Sequence, residues 1–189
     1  MKLVLATRNP HKLREFRRLL PAHHLEPLPQ GVELPPETGA TFEDNARAKA
    51  RAAARATGAT AIADDSGIEA AVLDGRPGVH SARFAGAGAS DADNLDKLRR
   101  EVPAGSGLTY RCVLVYADGR GGDEQVFEGS CTGTMADAPR GERGFGYDPV
   151  FIPDDHPGAR TMAELTDAEK DAISHRGRAA RALLAWLER

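Results

Sequence analysis

The sequence has few of the features that mark several large classes of protein. Only two of its 189 residues are cysteines, Cys112 and Cys131, and no CxxC pair occurs. A disulfide framework and a cysteine-based zinc site are therefore not expected, and both cysteines fit small core positions in a reducing compartment. Neither sign of charge dominates, because 25 Lys and Arg stand against 28 Asp and Glu, for a net charge of −3. No chain-wide positive field is available to hold a nucleic-acid backbone, so we expect no nucleic-acid partner.

Long apolar runs are also missing from the chain. No stretch approaches the roughly 18 to 20 apolar residues that a membrane-spanning helix needs. The N-terminal segment MKLVLATRNPHK turns polar after four apolar residues, which is too short for the apolar region of a signal peptide. We therefore expect a cytoplasmic protein that does not bind membranes. The Walker A pattern GxxxxGK[ST] is absent as well, which argues against a P-loop NTPase.

The residues that are present have the balance of an ordinary globular protein, with 41% hydrophobic and 28% charged side chains. The length predicts a single domain or one compact two-lobed unit over residues 1–189, and no internal repeat or linker divides it. The predicted elements of the first half are a strand over Lys2–Ala6, a helix carrying Leu13, Phe16, Leu19 and Leu20, an Ala-rich helix from a Thr41/Asp44 capping box to about Gly58, and a buried strand over Thr60–Ala63.

Those of the second half are a helix capped by Ser90, a strand over Leu108–Ala117, a hairpin turn at Asp118–Asp123, a strand over Gln125–Thr134, a short strand over Pro149–Ile152, a helix from Thr166 with Glu169, and a C-terminal helix carrying Ile173, Ala180, Leu183, Leu184 and Leu187. Strands both alternate with helices and pair as a hairpin. This pattern predicts an α/β fold with a mixed sheet rather than a purely parallel one.

The segment TRNPHK, residues 7–12, falls between the first strand and the first helix. A helix N-terminus offers free N–H groups and the positive end of the helix dipole, and Lys12 adds a charge, so the junction suits a phosphate. The alternative is ordinary capping, with Thr7 or Asn9 as the N-cap and Pro10 in the first helical position.

The segment ADDSG places Asp64 and Asp65 after an apolar strand, where ligand sites form in open α/β sheets. Adjacent carboxylates there hold a hard cation or supply a base, and strand alternation means that only one of the two must face the site. One alternative is a turn in which the aspartates accept bonds from backbone amides. A phosphoribosyltransferase is another, but its Thr- and Gly-rich phosphate loop does not follow.

Two later segments carry residues suited to a nucleotide. In GFGYDP, glycines flank Phe145, and Phe145 or Tyr147 could stack on a planar base, the alternative being a tight turn with two core aromatics. In AEKDAISHRGRA, Lys170, His175 and Arg176 suit a phosphate or the edge of a 6-oxo purine, the alternative being a solvated basic helix end. The Gly-rich loop GRPGVHSARFAG, with Arg83, is a weaker candidate of the same kind.

These segments, in this order, resemble the inosine triphosphate pyrophosphatase family, the non-canonical purine NTP pyrophosphatases that act on dITP and XTP. The likeness runs through LATRNPHK, TFEDNARAKA, IADDSGIEAAVLDGRPGVHSARFAG, CVLVY, GFGYDPVF and AELTDAEKDAISHRGRA. It implies two lobes around a long mixed β-sheet with flanking helices, a nucleotide cleft between the lobes, and a homodimer. It also implies Mg²⁺-dependent hydrolysis of dITP, ITP or XTP to the nucleoside monophosphate and pyrophosphate.

The resemblance also implies a role for each matching residue. The metal-binding acids match Glu37 and Asp65, and Asp65 further matches the proton acceptor. The substrate-binding positions match Thr7, Arg8, Asn9, Pro10, His11, Lys12, Ser66, Phe145, Gly146, Tyr147, Asp148, Lys170, His175 and Arg176. Arg8, Pro10 and His11 stand where the family often has smaller residues. Donors near His175 and Arg176 would favour a purine O6 over the 6-amino group of adenine.

Two rival functions remain at the level of sequence. A Maf-like pyrophosphatase for modified pyrimidines is closest, but the SHRG and GFGYDP segments argue against it. A catalytically silent nucleotide sensor would be expected to lack a metal-binding acid, whereas Glu37 and Asp65 are both present.

Overall fold

The computed structural model describes all 189 residues and contains six strands and five α-helices. The strands are β1 (Lys2–Leu5), β2 (His24–Pro27), β3 (Ala61–Ala70), β4 (Gly107–Ala117), β5 (Glu124–Met135) and β6 (Phe151–Pro153). The helices are α1 (Pro10–Leu19), α2 (Phe42–Thr57), α3 (Asp91–Glu101), α4 (Asp167–Ile173) and α5 (His175–Leu187).

The strands form one sheet in the order β2-β1-β3-β4-β5-β6. Strand β1 runs parallel to both β2 and β3, with Leu5 opposite Ile62 in β3. Strands β5 and β6 are antiparallel, with Met135 opposite Phe151. The predicted α/β class with a mixed sheet is therefore confirmed.

The helices begin where the capping signals predict. Capping boxes occur at Thr41/Asp44, Ser90/Asp93 and Thr166/Glu169. Helix α2 ends at Gly58, whose φ of 64° is the left-handed conformation that glycine adopts without a steric penalty. The longest helix has 16 residues, and no helix combines the length and apolarity that a membrane span requires.

The chain divides into two compact units. Unit 1 comprises Met1–Asp65, Cys112–Gly129 and Arg176–Arg189, and unit 2 comprises Ser66–Arg111 and Ser130–His175. Each unit has its own hydrophobic core. Unit 1 buries Leu3, Leu5, Phe16, Leu20, Ile62, Leu114 and Leu183. Unit 2 buries Ile68, Leu98, Leu108, Tyr110, Phe151, Met162 and Leu165. As predicted, both cysteines are small core residues, and burial raises the pKa of the Cys112 thiol.

The structure differs from the predicted elements at β3, at the C-terminal helix and at β2. Strand β3 continues to Ala70 instead of ending at Ala63, so the DDSG segment is extended strand and the turn alternative is excluded. The helical stripe assigned to one C-terminal helix is divided at Ser174, which leaves Ile173 at the end of α4. Strand β2 was not predicted, because in this four-residue edge strand only Leu25 is buried. The nucleotide cleft implied by the resemblance stays a prediction, as does the assignment of residues 1–189 to one domain.

Candidate active site

Asp64 and Asp65 are neighbours in β3, where successive side chains point to opposite faces. Asp64 is 1% exposed, and its Oδ2 lies 2.9 Å from Lys12 Nζ and 3.3 Å from Arg176 Nε. Arg176 also donates through Nη1 to Glu15 Oε2 at 3.0 Å. Four buried or nearly buried charged side chains, from β3, α1 and α5, therefore neutralise one another in unit 1.

The charge of Asp64 is stabilised by these partners. Burial by itself would raise the pKa of the Asp64 carboxyl, but Lys12, Arg176 and Lys49 outweigh it and hold that pKa well below its usual range. A carboxylate with a lowered pKa is a poor proton acceptor. Asp64 is therefore suited to orienting Lys12 and Arg176.

Asp65 has different partners and an opposite pKa shift. It is 5% exposed, its Oδ2 accepts a hydrogen bond from Asn45 Nδ2 at 2.9 Å, and its Oδ1 lies 3.8 Å from Lys49 Nζ. Burial raises the pKa of the Asp65 carboxyl, and Lys49 and Asn45 only partly oppose this. A carboxylate with a raised pKa accepts a proton more readily, which suits a general base.

The ammonium group of Lys49 faces both Glu37 and Asp65. Its Nζ donates to Glu37 Oε1 at 2.5 Å, and the Lys49 side chain is only 7% exposed. Burial would lower the pKa of Lys49, but Asp64, Asp65 and Glu37 raise it above its usual value. Burial likewise acts to raise the pKa of Glu37, yet Lys49 holds it below its usual value. Both groups are ionised at neutral pH.

Glu37 and Asp65 fit the pair of carboxylates expected for Mg²⁺. Both direct an oxygen towards one cationic group, the Lys49 ammonium, and carboxylate oxygens are the ligands that Mg²⁺ prefers. No cluster of three or more His, Cys, Asp or Glu residues is arranged to hold a metal ion. Mg²⁺ is commonly bound by one or two carboxylates together with substrate phosphates. The pair therefore suits a metal that arrives with a phosphorylated substrate.

A short chain of hydrogen bonds, from Gly39 through Asn45, holds the Asp65 carboxylate in place. The backbone N–H of Gly39 donates to Asn45 Oδ1 at 2.8 Å, which directs the Asn45 amide nitrogen towards Asp65. A Cβ atom at position 39 would lie 2.7 Å from the same Oδ1. Glycine is therefore required in the PPETG segment if Asn45 is to keep its place.

The TRNPHK segment forms the start of α1, where the structure shows the helix capping that was the alternative to a phosphate site, and the phosphate site stays a prediction. Asn9 is the N-cap, and its Oδ1 accepts from the backbone N–H groups of His11 at 2.9 Å and Lys12 at 3.3 Å. Thr7 Oγ1 in turn accepts from the N–H of Asn9 at 3.1 Å, and Pro10 occupies the first helical position. The Lys12 ammonium is the group of this segment that reaches Asp64.

Arg8 points away from that ion pair. Its guanidinium donates to the carbonyl oxygens of Leu28 and Pro29, each at 2.8 Å, and of Val32 at 2.7 Å. It therefore holds the loop after β2 against the start of α1.

A second polar cluster, in unit 2, surrounds Asp148, which is 3% exposed. Its Oδ2 accepts from Lys170 Nζ at 2.6 Å and from the N–H of Phe145 at 2.9 Å. Its Oδ1 accepts from the Tyr110 hydroxyl at 3.1 Å. Lys170 Nζ also lies 5.4 Å from the centroid of the Phe145 ring. Three predicted residues, Phe145, Asp148 and Lys170, are thus in contact.

The glycines of GFGYDP permit this arrangement. Gly144 has a φ of 73°, and a Cβ atom there would lie 2.0 Å from Asp148 Oδ2. Gly146 donates its N–H to Asp91 Oδ2 at 3.1 Å. Tyr147 is a buried anchor whose hydroxyl donates to the Ser81 carbonyl at 2.7 Å, whereas Phe145 is only half-buried. Phe145 is therefore the aromatic ring of the pair that has an accessible surface.

His175 and Arg176 are consecutive but belong to different units. The His175 ring, 3% exposed, stacks on the Tyr110 ring with centroids 4.6 Å apart and planes 7° apart. Arg176 is 5% exposed within the Asp64 cluster of unit 1. The alternative of a solvated basic helix end is therefore wrong for both residues. Ser66, half-buried in β3, directly follows Asp65 and is the first residue of unit 2.

The Ham1 family model matches residues 3–186 of the chain. The chain belongs to the Ham1 family. It is 49% identical to the dITP/XTP pyrophosphatase of Mycolicibacterium paratuberculosis, over 98% of this chain and 95% of that protein. It is 46% identical to the dITP/XTP pyrophosphatase of Halorhodospira halophila, over 97% and 96% of the two chains. The resemblance identified from the sequence motifs is confirmed.

Solved structures of Ham1 proteins have the same fold. The HAM1 protein from Coxiella burnetii matches with a TM-score of 0.86 and 39% identity. The Ham1 protein from Staphylococcus aureus matches with a TM-score of 0.83 and 37% identity. Each match covers 100% of this chain and 98% of the other.

Sequence reasoning missed four residues of this Ham1 chain that hold the predicted ones in place: Glu15, Asn45, Lys49 and Tyr110. A signal was available for two of them. Asn45 and Lys49 are four residues apart in the Ala-rich helix α2, on the face that carries the buried alanines Ala46, Ala50 and Ala53. Polar side chains on a buried helix face need partners, which indicates a polar site beside that face.

Proposed function

We propose that the chain hydrolyses non-canonical purine nucleoside triphosphates such as dITP, ITP and XTP to the nucleoside monophosphate and pyrophosphate. One observation carries the proposal: the buried carboxylate of Asp65 lies beside the Glu37–Lys49 ion pair. That arrangement combines a proton acceptor with groups that bind charge. The dITP/XTP pyrophosphatase names of relatives up to 49% identical support the substrate class.

The cationic side chains of unit 1 would bind the triphosphate. Lys12 and Arg176 are held in place by Asp64, and Lys49 by Glu37. Phosphoryl transfer depends mainly on positioning and on stabilising negative charge, so buried cations of fixed geometry suit it. Thr7 to Lys12, at the start of α1, is the segment that the proposal assigns to the phosphates.

Asp65 would activate the water molecule. The carboxylate takes one proton as the water oxygen bonds to the α-phosphorus, and the bond from that phosphorus to the α–β bridging oxygen breaks. The electron pair of that bond leaves with pyrophosphate. Asn45 keeps the Asp65 carboxylate in one orientation through its 2.9 Å hydrogen bond.

Glu37 and Asp65 would hold Mg²⁺ in this scheme. A bound Mg²⁺ neutralises phosphate charge and orients the phosphate oxygens. Lys49 must then share the two carboxylates with the metal, because its ammonium already contacts both.

The cluster around Asp148 would recognise the base. Phe145 offers a half-buried ring for stacking, and the buried His175 and Lys170 offer donors. Donors directed at O6 favour hypoxanthine and xanthine, because the 6-amino group of adenine would present a donor to a donor.

A substrate panel tests the proposal. The enzyme is incubated with dITP, ITP, XTP, GTP, ATP and pyrimidine triphosphates in Mg²⁺, and both products are measured. We expect monophosphate and pyrophosphate from the first three, and no turnover after exhaustive chelation. Orthophosphate with diphosphate as products would contradict cleavage at the α–β linkage. Full activity after chelation would contradict the metal assignment.

We also propose that the enzyme is a cytoplasmic homodimer, as the family resemblance implies. Both cysteines are buried thiols, which suits a reducing compartment. Sedimentation equilibrium would give the mass of the assembly, for which twice the 20.2 kDa chain mass is expected.

A further inference from the structure

Tyr110, on β4, contacts two segments of unit 2 that are far apart in the sequence. Its hydroxyl donates to Asp148 in the GFGYDP segment, and its ring stacks on His175 in the SHRG segment. Tyr110 itself is 6% exposed. It therefore touches both parts of the cluster that the proposed function assigns to the base.

The hydroxyl of Tyr110 completes the fixation of the Asp148 carboxylate. Lys170 and the N–H of Phe145 donate to Oδ2, and Tyr110 donates to Oδ1. A carboxylate held at both oxygens cannot rotate about its Cβ–Cγ bond without losing one of these hydrogen bonds. The positions of the Lys170 ammonium and the Phe145 backbone depend in turn on that carboxylate.

The ring of Tyr110 fixes the plane of His175. The two ring planes are 7° apart, and the Tyr110 ring also packs on Phe151, with centroids 4.6 Å apart. Phe151 is fully buried, so the Tyr110 ring is held by the core of unit 2 and cannot follow a shift of the imidazole. The imidazole plane at the start of α5 is thereby set by β4.

We infer that Tyr110 is the positioning residue for base recognition. Its hydroxyl aligns Asp148, and through Asp148 also Phe145 and Lys170, while its ring aligns His175. The inference rests on the proposed function. Tyr110 acts through these neighbours and contacts no reacting atom in this assignment. Its removal should therefore weaken binding of the base and leave the chemical step unchanged.

The test compares Tyr110→Phe with the wild-type enzyme. This substitution keeps the ring and its stacking but removes the hydroxyl that Asp148 accepts. We expect KM for ITP to rise up to about tenfold, because substrate binding must then order the loosened Asp148 and Lys170 side chains, with kcat within about twofold. Inhibition by inorganic tripolyphosphate, which has no base, should stay within about twofold of wild type, because its expected ligands lie in unit 1.

Two further variants complete the experiment. Tyr110→Leu also removes the stacking on His175, and KM should rise further than in Tyr110→Phe. Tyr116→Phe is the matched control, because Tyr116 is a buried tyrosine of the same strand that packs edge-on against Trp186 in unit 1. Its KM for ITP should equal that of wild type.

The outcomes separate the inference from the function. If wild type hydrolyses ITP and Tyr110→Phe has an unchanged KM, the positioning role is refuted while the function stands. A merely structural role is indicated if kcat, KM and tripolyphosphate inhibition worsen together with the thermal midpoint, and this also refutes the inference. If wild type hydrolyses no purine triphosphate, the proposed function fails and the inference fails with it.

Discussion

The two units each bury a lysine against an aspartate, but the surroundings of the two pairs differ. Lys12–Asp64 in unit 1, at 2.9 Å, lies among further charged groups, Arg176, Lys49 and the nearby carboxylates. Lys170–Asp148 in unit 2, at 2.6 Å, is surrounded by the aromatic groups Tyr110 and Phe145. Clustered charges suit phosphate and metal, whereas a single ion pair among rings suits a flat, uncharged base. The same residue pair thus lies in two chemically different surroundings.

Asp64 and Asp65, the neighbouring acids of β3, provide the first two tests, because their pKa values are shifted in opposite directions. Asp65→Asn keeps the shape of the side chain but removes its charge, so we expect kcat to fall about 10² to 10⁴ fold, the range for loss of a general base. The pKa of Asp65 is raised by burial, so its charged form costs stability above the unfolded pKa, and the variant should not be less stable at pH 7. Kinetics in Mg²⁺ buffer measure the first effect, and thermal unfolding without added metal measures the second. Loss of activity through unfolding alone would contradict the role of Asp65.

Whereas Asp65→Asn should chiefly lower kcat, Asp64→Asn should chiefly lower the stability of the protein. It leaves Lys12 and Arg176 buried without their shared counter-charge, and breaking a buried ion pair costs about 3 to 5 kcal/mol. Because the folded-state pKa of Asp64 is lowered, its stabilising effect is complete above the unfolded pKa and is lost as the pH falls through the folded value. Urea unfolding at pH 7 and in acid checks this, and the difference from wild type should shrink in acid. Equal stability at pH 7 would show that Asp64 is not the counter-ion.

Lys12→Ala tests whether buried charge in unit 1 binds the triphosphate. A charge-assisted hydrogen bond to phosphate contributes about 1.5 to 3 kcal/mol, so KM for ITP and the inhibition constant of tripolyphosphate should both rise about 10 to 150 fold. Lys2→Ala is the matched control, because Lys2 likewise lies 2.9 Å from a carboxylate, that of Glu26, but its side chain is 62% exposed. Unchanged constants for Lys12→Ala would limit the role of Lys12 to its ion pair with Asp64.

Glu169→Gln gives the smallest expected effect, since it alters a half-buried helix cap rather than either cluster. Glu169 closes the capping box of α4, the helix that carries Lys170, and bonds to Arg160 and Thr166 hold its pKa at about 2. Its stabilisation is therefore complete above the unfolded pKa and is lost as the pH falls towards 2. We expect a fall in thermal midpoint of less than about 2 °C at pH 7. A loss of stability as large as that of Asp64→Asn would mean that the different exposure of Glu169 and Asp64 does not determine how much each one stabilises the fold.

Most elements were predictable because their signals are local. The capping boxes at Thr41, Ser90 and Thr166 are each contained within four residues, and the structure begins a helix at each one. The course of β3 was not predictable in this way. Its polar residues Asp64 and Asp65 interrupt the apolar pattern, and the cations that make their burial acceptable, such as Arg176, come from distant segments.

The sequence predicted charged side chains of the candidate site, but it did not predict the residues that hold those side chains in place. Asp65 and Lys170 are residue types that carry chemistry themselves, and they follow from motifs. Asn45 and Tyr110 matter because of what they touch, and those contacts span 20 and 38 residues of sequence. A hydrogen bond of that range depends on the tertiary fold, which a single sequence does not reveal. The substrate-binding role of each predicted residue stays a prediction.

Side chains alternate between the two faces of β3, and this alternation limits the insertions and deletions that the gene can tolerate. One residue inserted or deleted between Ile62 and Asp64 would shift the register and turn every following side chain to the other face. An insertion would place Asp64 where Asp65 now lies, beside Asn45 and Lys49, and a deletion would place Asp65 where Asp64 now lies, beside Lys12 and Arg176. Length variation among related genes should therefore accumulate in the loop before β3 and be absent from the strand itself.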